Sequence, residues 1–256
     1  MEKTAAHQVN FVDEAVRIVR EAEKQRVILR MMGATAIRLH CPSFTRLHRD
    51  LGREISDIDF VGYNKQTSKI SKVFESLNYA TRPLSYSFVQ AGRLIFTENR
   101  TGGHADVFLN RLEMCHTIDY TQRLEIDNPT VPLAELLLQK MQIVQISEKD
   151  VIDTIVLLRE HEIGDGDTEM VNAAYIAKLL SNDWGFYYTV TTNLQKVKSL
   201  VVDFRVLDNQ DKQVVTEKIG RTVSLIEAEP KNRSWNARAK VGTKKKWYKD
   251  VYSAPK

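Results

Sequence analysis

The sequence predicts an α+β fold: a mixed-sheet domain followed by a mainly helical second domain. Three observations carry this. Short apolar runs near 27–32, 57–60, 86–90, 94–98 and 104–109 are separated by turn residues or by helical patterns. The character changes after Pro129 and Pro132, beyond which apolar residues recur at helical spacing almost to residue 228. The last stretch, from Lys231, is basic and aromatic. The resulting division is 1–130, 131–228 and 229–256.

The elements follow in order. Residues 11–24 place Phe11, Val12, Ala15, Val16, Ile18 and Val19 on an amphipathic helix. Val27 to Met32 reads as a buried strand, Gly33 as a turn, and Ala34 to His40 as a helix stopped near Pro42. A polar loop rich in Arg and His, Thr45 to Arg53, leads to the strand around Asp57 and Asp59. A helix near 67–77 follows, then strands near 86–90, 94–98 and 104–109, with turns at Ala91-Gly92 and Thr101-Gly102-Gly103. Helices are expected near 133–146, 148–160, 168–180, 184–204 and 208–227.

The acids are the chemical signal. Strand side chains alternate faces, so Asp57 and Asp59 project together while Ile58 and Phe60 enter the core. Two carboxylates on one face repel unless a cation lies between them. Asp106 is the only acid in its run, Gly103 to Leu109. If its strand pairs with that of Asp57 and Asp59, three carboxylates meet. Three carboxylates can hold two metals roughly 3.5–4 Å apart, the arrangement for in-line displacement at phosphorus. Asp106 is then the general base. Mg²⁺ or Mn²⁺ suits such a set, since hard cations take carboxylates plus substrate phosphate oxygens. Against this stands the ordinary use of acids at strand ends, in turns and as edge devices.

Gly33 permits a sharp turn and close approach of the backbone to a ligand, and the helix N-terminus beyond it favours phosphate. The Thr35 hydroxyl is a candidate donor to that phosphate or a plain helix cap. The turn fits neither the phosphate-binding loop that ends in Lys-Ser/Thr nor Gly-x-Gly-x-x-Gly.

Gly33-Ala34-Thr35-Ala36, the Asp57-Ile58-Asp59 pair and Asp106 together resemble the nucleotidyltransferase superfamily, with the DNA polymerase beta-like fold. The chain is most similar to bacterial nucleotidyltransferases of the abortive-infection toxin type. Arg53 matches an arginine four residues before the first metal-binding aspartate. Leu136 to Met141 and Lys149 to Asp153 match two later helices. The resemblance implies NMP transfer from an NTP such as ATP to an acceptor hydroxyl on RNA or tRNA, a protein or a small molecule. It also implies an antitoxin partner. Gly33, Ala34, Thr35, Arg53, Ser56, Lys140 and Asp150 are then the nucleotide-binding residues. Two departures stand out: Ala34 adds a methyl where the family has a second glycine, and Ile55 replaces a hydroxyl residue, with Ser56 one position away. Apart from the resemblance, Lys140 reads equally as a solvated helix lysine, Asp150 as favouring a helix start, and Arg53 as the partner of a local acid.

Composition excludes several classes. Cys41 and Cys115 form no disulfide framework or metal-type cysteine spacing, and the histidines show no paired zinc-ligand spacing. His104 shares a strand face with Asp106. No secretory signal opens the chain and no apolar run reaches membrane-spanning length, so a cytoplasmic protein is expected. The net charge of +4 is uneven: from Lys231 to Lys256 nine Lys/Arg face Asp250 alone. With Trp235, Trp247, Tyr248 and Tyr252 interleaved, this tail is expected either to hold RNA or to anchor on its own domain. A non-catalytic nucleotide- or RNA-binding module on the same fold is the alternative to an enzyme.

Overall fold

The computed structural model describes residues 10–82 and 92–251. The strand expected near 86–90 lies outside them, as do Ala91 and Tyr252. The fold is α+β.

Helix α1 (Phe11–Lys24) is capped by the Asn10 side chain, which accepts from the Val12 N–H, and it buries Ala15, Ile18, Val19 and Ala22. Strand β1 (Leu29–Met32) runs straight into α2 (Gly33–His40). The segment 45–53, expected as a loop, instead forms α3 (Thr45–Asp50). Leu47 and His48 are buried there, so packing overrides a mostly polar sequence. Strand β2 (Ile58–Gly62), α4 (Thr67–Ser76), β3 (Tyr79–Thr81), β4 (Arg93–Glu98) and β5 (His104–Leu109) follow.

These strands form one sheet in the order β1-β2-β5-β4-β3. Only β2 and β5 are parallel; the other pairs are antiparallel. The register sets Asp59 opposite Met32 on one side and opposite Asp106 on the other. Phe60, Phe74 of α4 and Phe96 of β4 are buried together, with the Phe74 and Phe96 rings stacked at 4.0 Å. Truncating any of them to alanine costs about 3–5 kcal/mol.

Short pieces escaped the sequence reading. Strands β6 (Arg111–Glu113) and β7 (Thr117–Asp119) form a hairpin, and β8 (Glu162–Gly164) and β9 (Met170–Asn172) pair in parallel within the helical region. Three-residue strands are too short to show a period of two. The helices there are α5 (Leu133–Met141), α6 (Glu148–Glu160), α7 (Ala173–Leu180), α8 (Trp184–Leu200), α9 (Asn209–Ala228) and α10 (Arg233–Val241). One apolar core runs from Ala15 to Ile226 across both halves.

Most of the tail is anchored on its own chain. The Trp247 indole N–H donates to Thr189 Oγ1 at 3.0 Å, and its ring packs against Trp184 and Tyr188. Trp235 meets Tyr187 edge-on, and the Lys249 N–H donates to the Cys115 carbonyl. Among the described residues no helix is long and apolar enough to cross a membrane.

Candidate active site

The acids converge where β2 and β5 run side by side. Asp59 and Asp106 are register partners on adjacent parallel strands, so their side chains share a face. Asp57 lies one residue before β2, rather than inside a strand as expected, and is exposed. The Ser56 hydroxyl donates to Asp57 Oδ1 at 3.2 Å. Burial, then the charges of Asp57 and Asp106, push the Asp59 carboxyl up to about 7.

Asp106 is bound on one side only. Arg93 of β4 donates to its Oδ2, while its Oδ1 is buried with no hydrogen-bond partner among the described residues. A buried carboxylate oxygen left bare costs about 1–3 kcal/mol or more. That bare oxygen and the neighbouring Asp59 carboxyl are hard donors of the kind a divalent cation takes. His104 is exposed and hydrogen-bonds Thr97, not the acids.

Gly33 is pressed against this group. Its φ is +67°, and a Cβ there would lie 2.8 Å from Asp59 Oδ2. Two donors expected to face a phosphate are otherwise engaged. The Gly33 N–H donates to Gln139 Oε1 at 2.9 Å, and Gln139 in turn donates to the Tyr120 hydroxyl. Thr35 is buried, and its hydroxyl donates back to the Met32 carbonyl at 3.2 Å, so it does not cap the helix, whose N-cap is Met32. Ala34 is half-buried at the second position of α2.

The cationic residues gather around one acid that the candidate set omits. Asp153 of α6 is fully buried and accepts both arms of the Arg53 guanidinium at 3.0 Å each. It also receives Lys140 Nζ at 2.8 Å, and His48 Nε2 lies 3.4 Å away. Burial works against the Asp153 charge, but Lys140, His48 and Arg53 outweigh it and hold its carboxyl well below the ordinary range. Burial likewise opposes the Lys140 charge, yet Asp153 and Asp150 hold its ammonium above its usual pKa. Lys140 is therefore a buried, paired lysine rather than a solvated one, and its charge is felt at Asp59. Asp150 closes a capping box with Ser147 at the start of α6 and lies 3.5 Å from Lys140.

Arg93 is absent from the sequence reading, and Asp153 stands in it only beside Asp150 and ranked below it. Arg93 gave no signal because a basic residue at a strand start is ordinary. Asp153 was visible only as one of two acids three apart on a helix. A cavity of about 540 Å³ opens beside the chain entering Asp57, lined by Arg38, Arg49, Arg53, Thr45, Gly52 and Glu54.

No protein-family profile and no curated protein matches the chain. Among solved structures it is similar to the antibiotic-resistance factor ANT(2'')-Ia, with 12% identity and a TM-score of 0.41, covering 66% of this chain and 93% of that one. It is also similar to an antigenic nucleotidyltransferase-like protein from Paracoccidioides brasiliensis, with 14% identity and a TM-score of 0.39, over 88% of this chain and 95% of that one. Similarity at this level assigns no role to any residue of this chain.

Proposed function

We propose that the chain is a divalent-metal-dependent nucleotidyltransferase that moves an NMP from an NTP to an acceptor hydroxyl and releases pyrophosphate. The observation that carries this is the pairing of Asp59 with Asp106 across β2 and β5, with Asp57 adjacent and one Asp106 oxygen bare. Asp57, Asp59 and Asp106 would hold the metal. Bound Mg²⁺ or Mn²⁺ would neutralise triphosphate charge and acidify the attacking hydroxyl. Asp106 accepts the proton of that hydroxyl, and Arg93 restrains its other oxygen. Gly33 leaves room for the Asp59 carboxylate. The cavity lined by Arg38, Arg49 and Arg53 suits an anionic substrate. The net positive charge of the tail favours an RNA or tRNA acceptor. An antitoxin partner, by the resemblance noted in the sequence, and a cytoplasmic setting complete this reading.

A second reading, a non-catalytic nucleotide- or RNA-binding module, is favoured by one specific feature. The Gly33 N–H and the Thr35 hydroxyl are both taken by the protein itself.

Incubation with Mg²⁺, total RNA and each α-³²P-labelled NTP in turn separates the two. Label on RNA or protein from the intact chain, absent from D57A/D59A, supports transfer. NTP binding without transfer to RNA, protein or small hydroxyl acceptors supports the module.

A further inference from the structure

At the far end of α2 from Gly33, roughly 10 Å along the helix, lies a second cluster. His40 ends α2, His161 caps α6, and Glu169 precedes β9. One ligand atom from each lies within 4.8 Å of the other two. His161 is buried and His40 half-buried, whereas the Glu169 side chain is 70% exposed on its loop. We propose that His40, His161 and Glu169 form a zinc site, separate from the acidic site, with three protein donors and an open fourth position.

The hydrogen bonds around the rings carry the inference. His40 Nε2 lies 2.5 Å from Thr130 Oγ1, and that hydroxyl donates to Asp127 Oδ2 at 3.3 Å. The Thr130 proton is thus committed, so His40 Nε2 carries a hydrogen. His161 faces two carbonyls, which only accept, that of His40 from Nε2 at 3.0 Å and that of Glu169 from Nδ1 at 3.3 Å, and the shorter contact takes the neutral ring's one proton. In the neutral rings both Nδ1 atoms are then bare lone pairs. Each faces the Glu169 carboxylate at 3.8 Å, and His161 Nδ1 also meets the Glu169 carbonyl at 3.3 Å. Acceptors converging with no proton among them are what a cation site looks like. Outer-shell bonds to a hydroxyl–carboxylate pair and to a backbone carbonyl are the usual means of fixing the ring tautomer for a metal.

Imidazole nitrogen selects zinc over magnesium or calcium. Zn–N and Zn–O distances of about 2.0–2.1 Å put tetrahedral donors roughly 3.3 Å apart. The two 3.8 Å contacts, to different Glu169 oxygens, therefore need to close by about half an ångström, which the exposed side chain can supply, and the histidine nitrogens, within 4.8 Å of each other, by up to about 1.5 Å through ring rotation. Zinc there would tie the end of α2 to the end of α6 and to the loop before β9.

The test uses the full-length, tag-free chain freed of metal, titrated calorimetrically with Zn²⁺. One zinc per chain is expected. E169Q and H161N should each weaken it tenfold or more, T130V by about 10–100-fold, and D57N/D59N should leave it unchanged. Zinc should raise the Tm of the intact chain and not that of E169Q. Three results would overturn the proposal: no stoichiometric zinc, as a protonated His161 bridging to Glu169 would give; unchanged affinity in E169Q; or loss of zinc only in D57N/D59N. If H161N misfolds, the exposed E169Q still decides.

Discussion

Gly33 and Asp59 occupy space that no other residue at position 33 would leave free, since a Cβ there would stand 2.8 Å from Asp59 Oδ2. The turn and the acid are thus one local device: the chain bends at φ +67° to let the carboxylate stand where it does. Gly33→Ala should cost about 1–2 kcal/mol from the left-handed backbone alone. It should also push Asp59 aside. A drop of several degrees in Tm together with loss of nucleotide transfer is expected; an unchanged Tm would refute the close approach.

Removing the acids should separate chemistry from folding. Under the transferase reading, D106N keeps the shape of the site but cannot take a proton, and transfer should fall at least 10²-fold. Its Tm should stay within a few degrees of the parent, measured alongside single-turnover rates.

The raised Asp59 pKa gives a signed pH dependence. The folded carboxyl titrates near 7 and the unfolded one near 4, so the native state binds the extra proton between these values. Asp59 therefore costs stability as pH rises through that window. In metal-free protein, D59N should match the parent near pH 4 and exceed it by on the order of 4 kcal/mol at pH 8. Millimolar Mg²⁺ should shrink the gap at pH 8 by stabilising the ionised form. Urea melts at pH 4, 6 and 8 measure it; a gap that narrows with rising pH would contradict the assignment.

Asp153 and Asp150 should behave differently although they lie three residues apart. D153A strands Arg53 and Lys140 in a buried site and should cost about 3–5 kcal/mol. D150A removes half of a capping box and should cost only about 1 kcal/mol. Equal losses in chemical denaturation would overturn the view of Asp153 as the buried hub.

The tail offers a further contrast. W247A removes the anchor at Thr189, Trp184 and Tyr188 and should expose residues after 241 to limited proteolysis. Charge reversal of Lys244, Lys245 and Lys246 should leave folding intact and reduce the salt dependence of any RNA binding. Binding insensitive to that reversal would remove RNA from the reading of the tail.

What the sequence determined by itself was whatever depends on neighbours along the chain. The helix at 11–24, the strand carrying Asp106, the helix at 148–160 and the turn at Gly33 were legible, because periodicity and backbone preference act over a few residues. The tertiary structure decided what those residues touch. It brought Asp59 beside Asp106 by a parallel register that no spacing encodes, and it set Arg93 against Asp106. It turned the Gly33 N–H and the Thr35 hydroxyl inward and gathered Arg53, Lys140 and His48 on Asp153. It also joined His40 to His161 and Glu169 across 121 and 129 positions, where no ligand motif can be read. A buried charge must find its partner in space, and the partner's place along the chain is left free by that requirement.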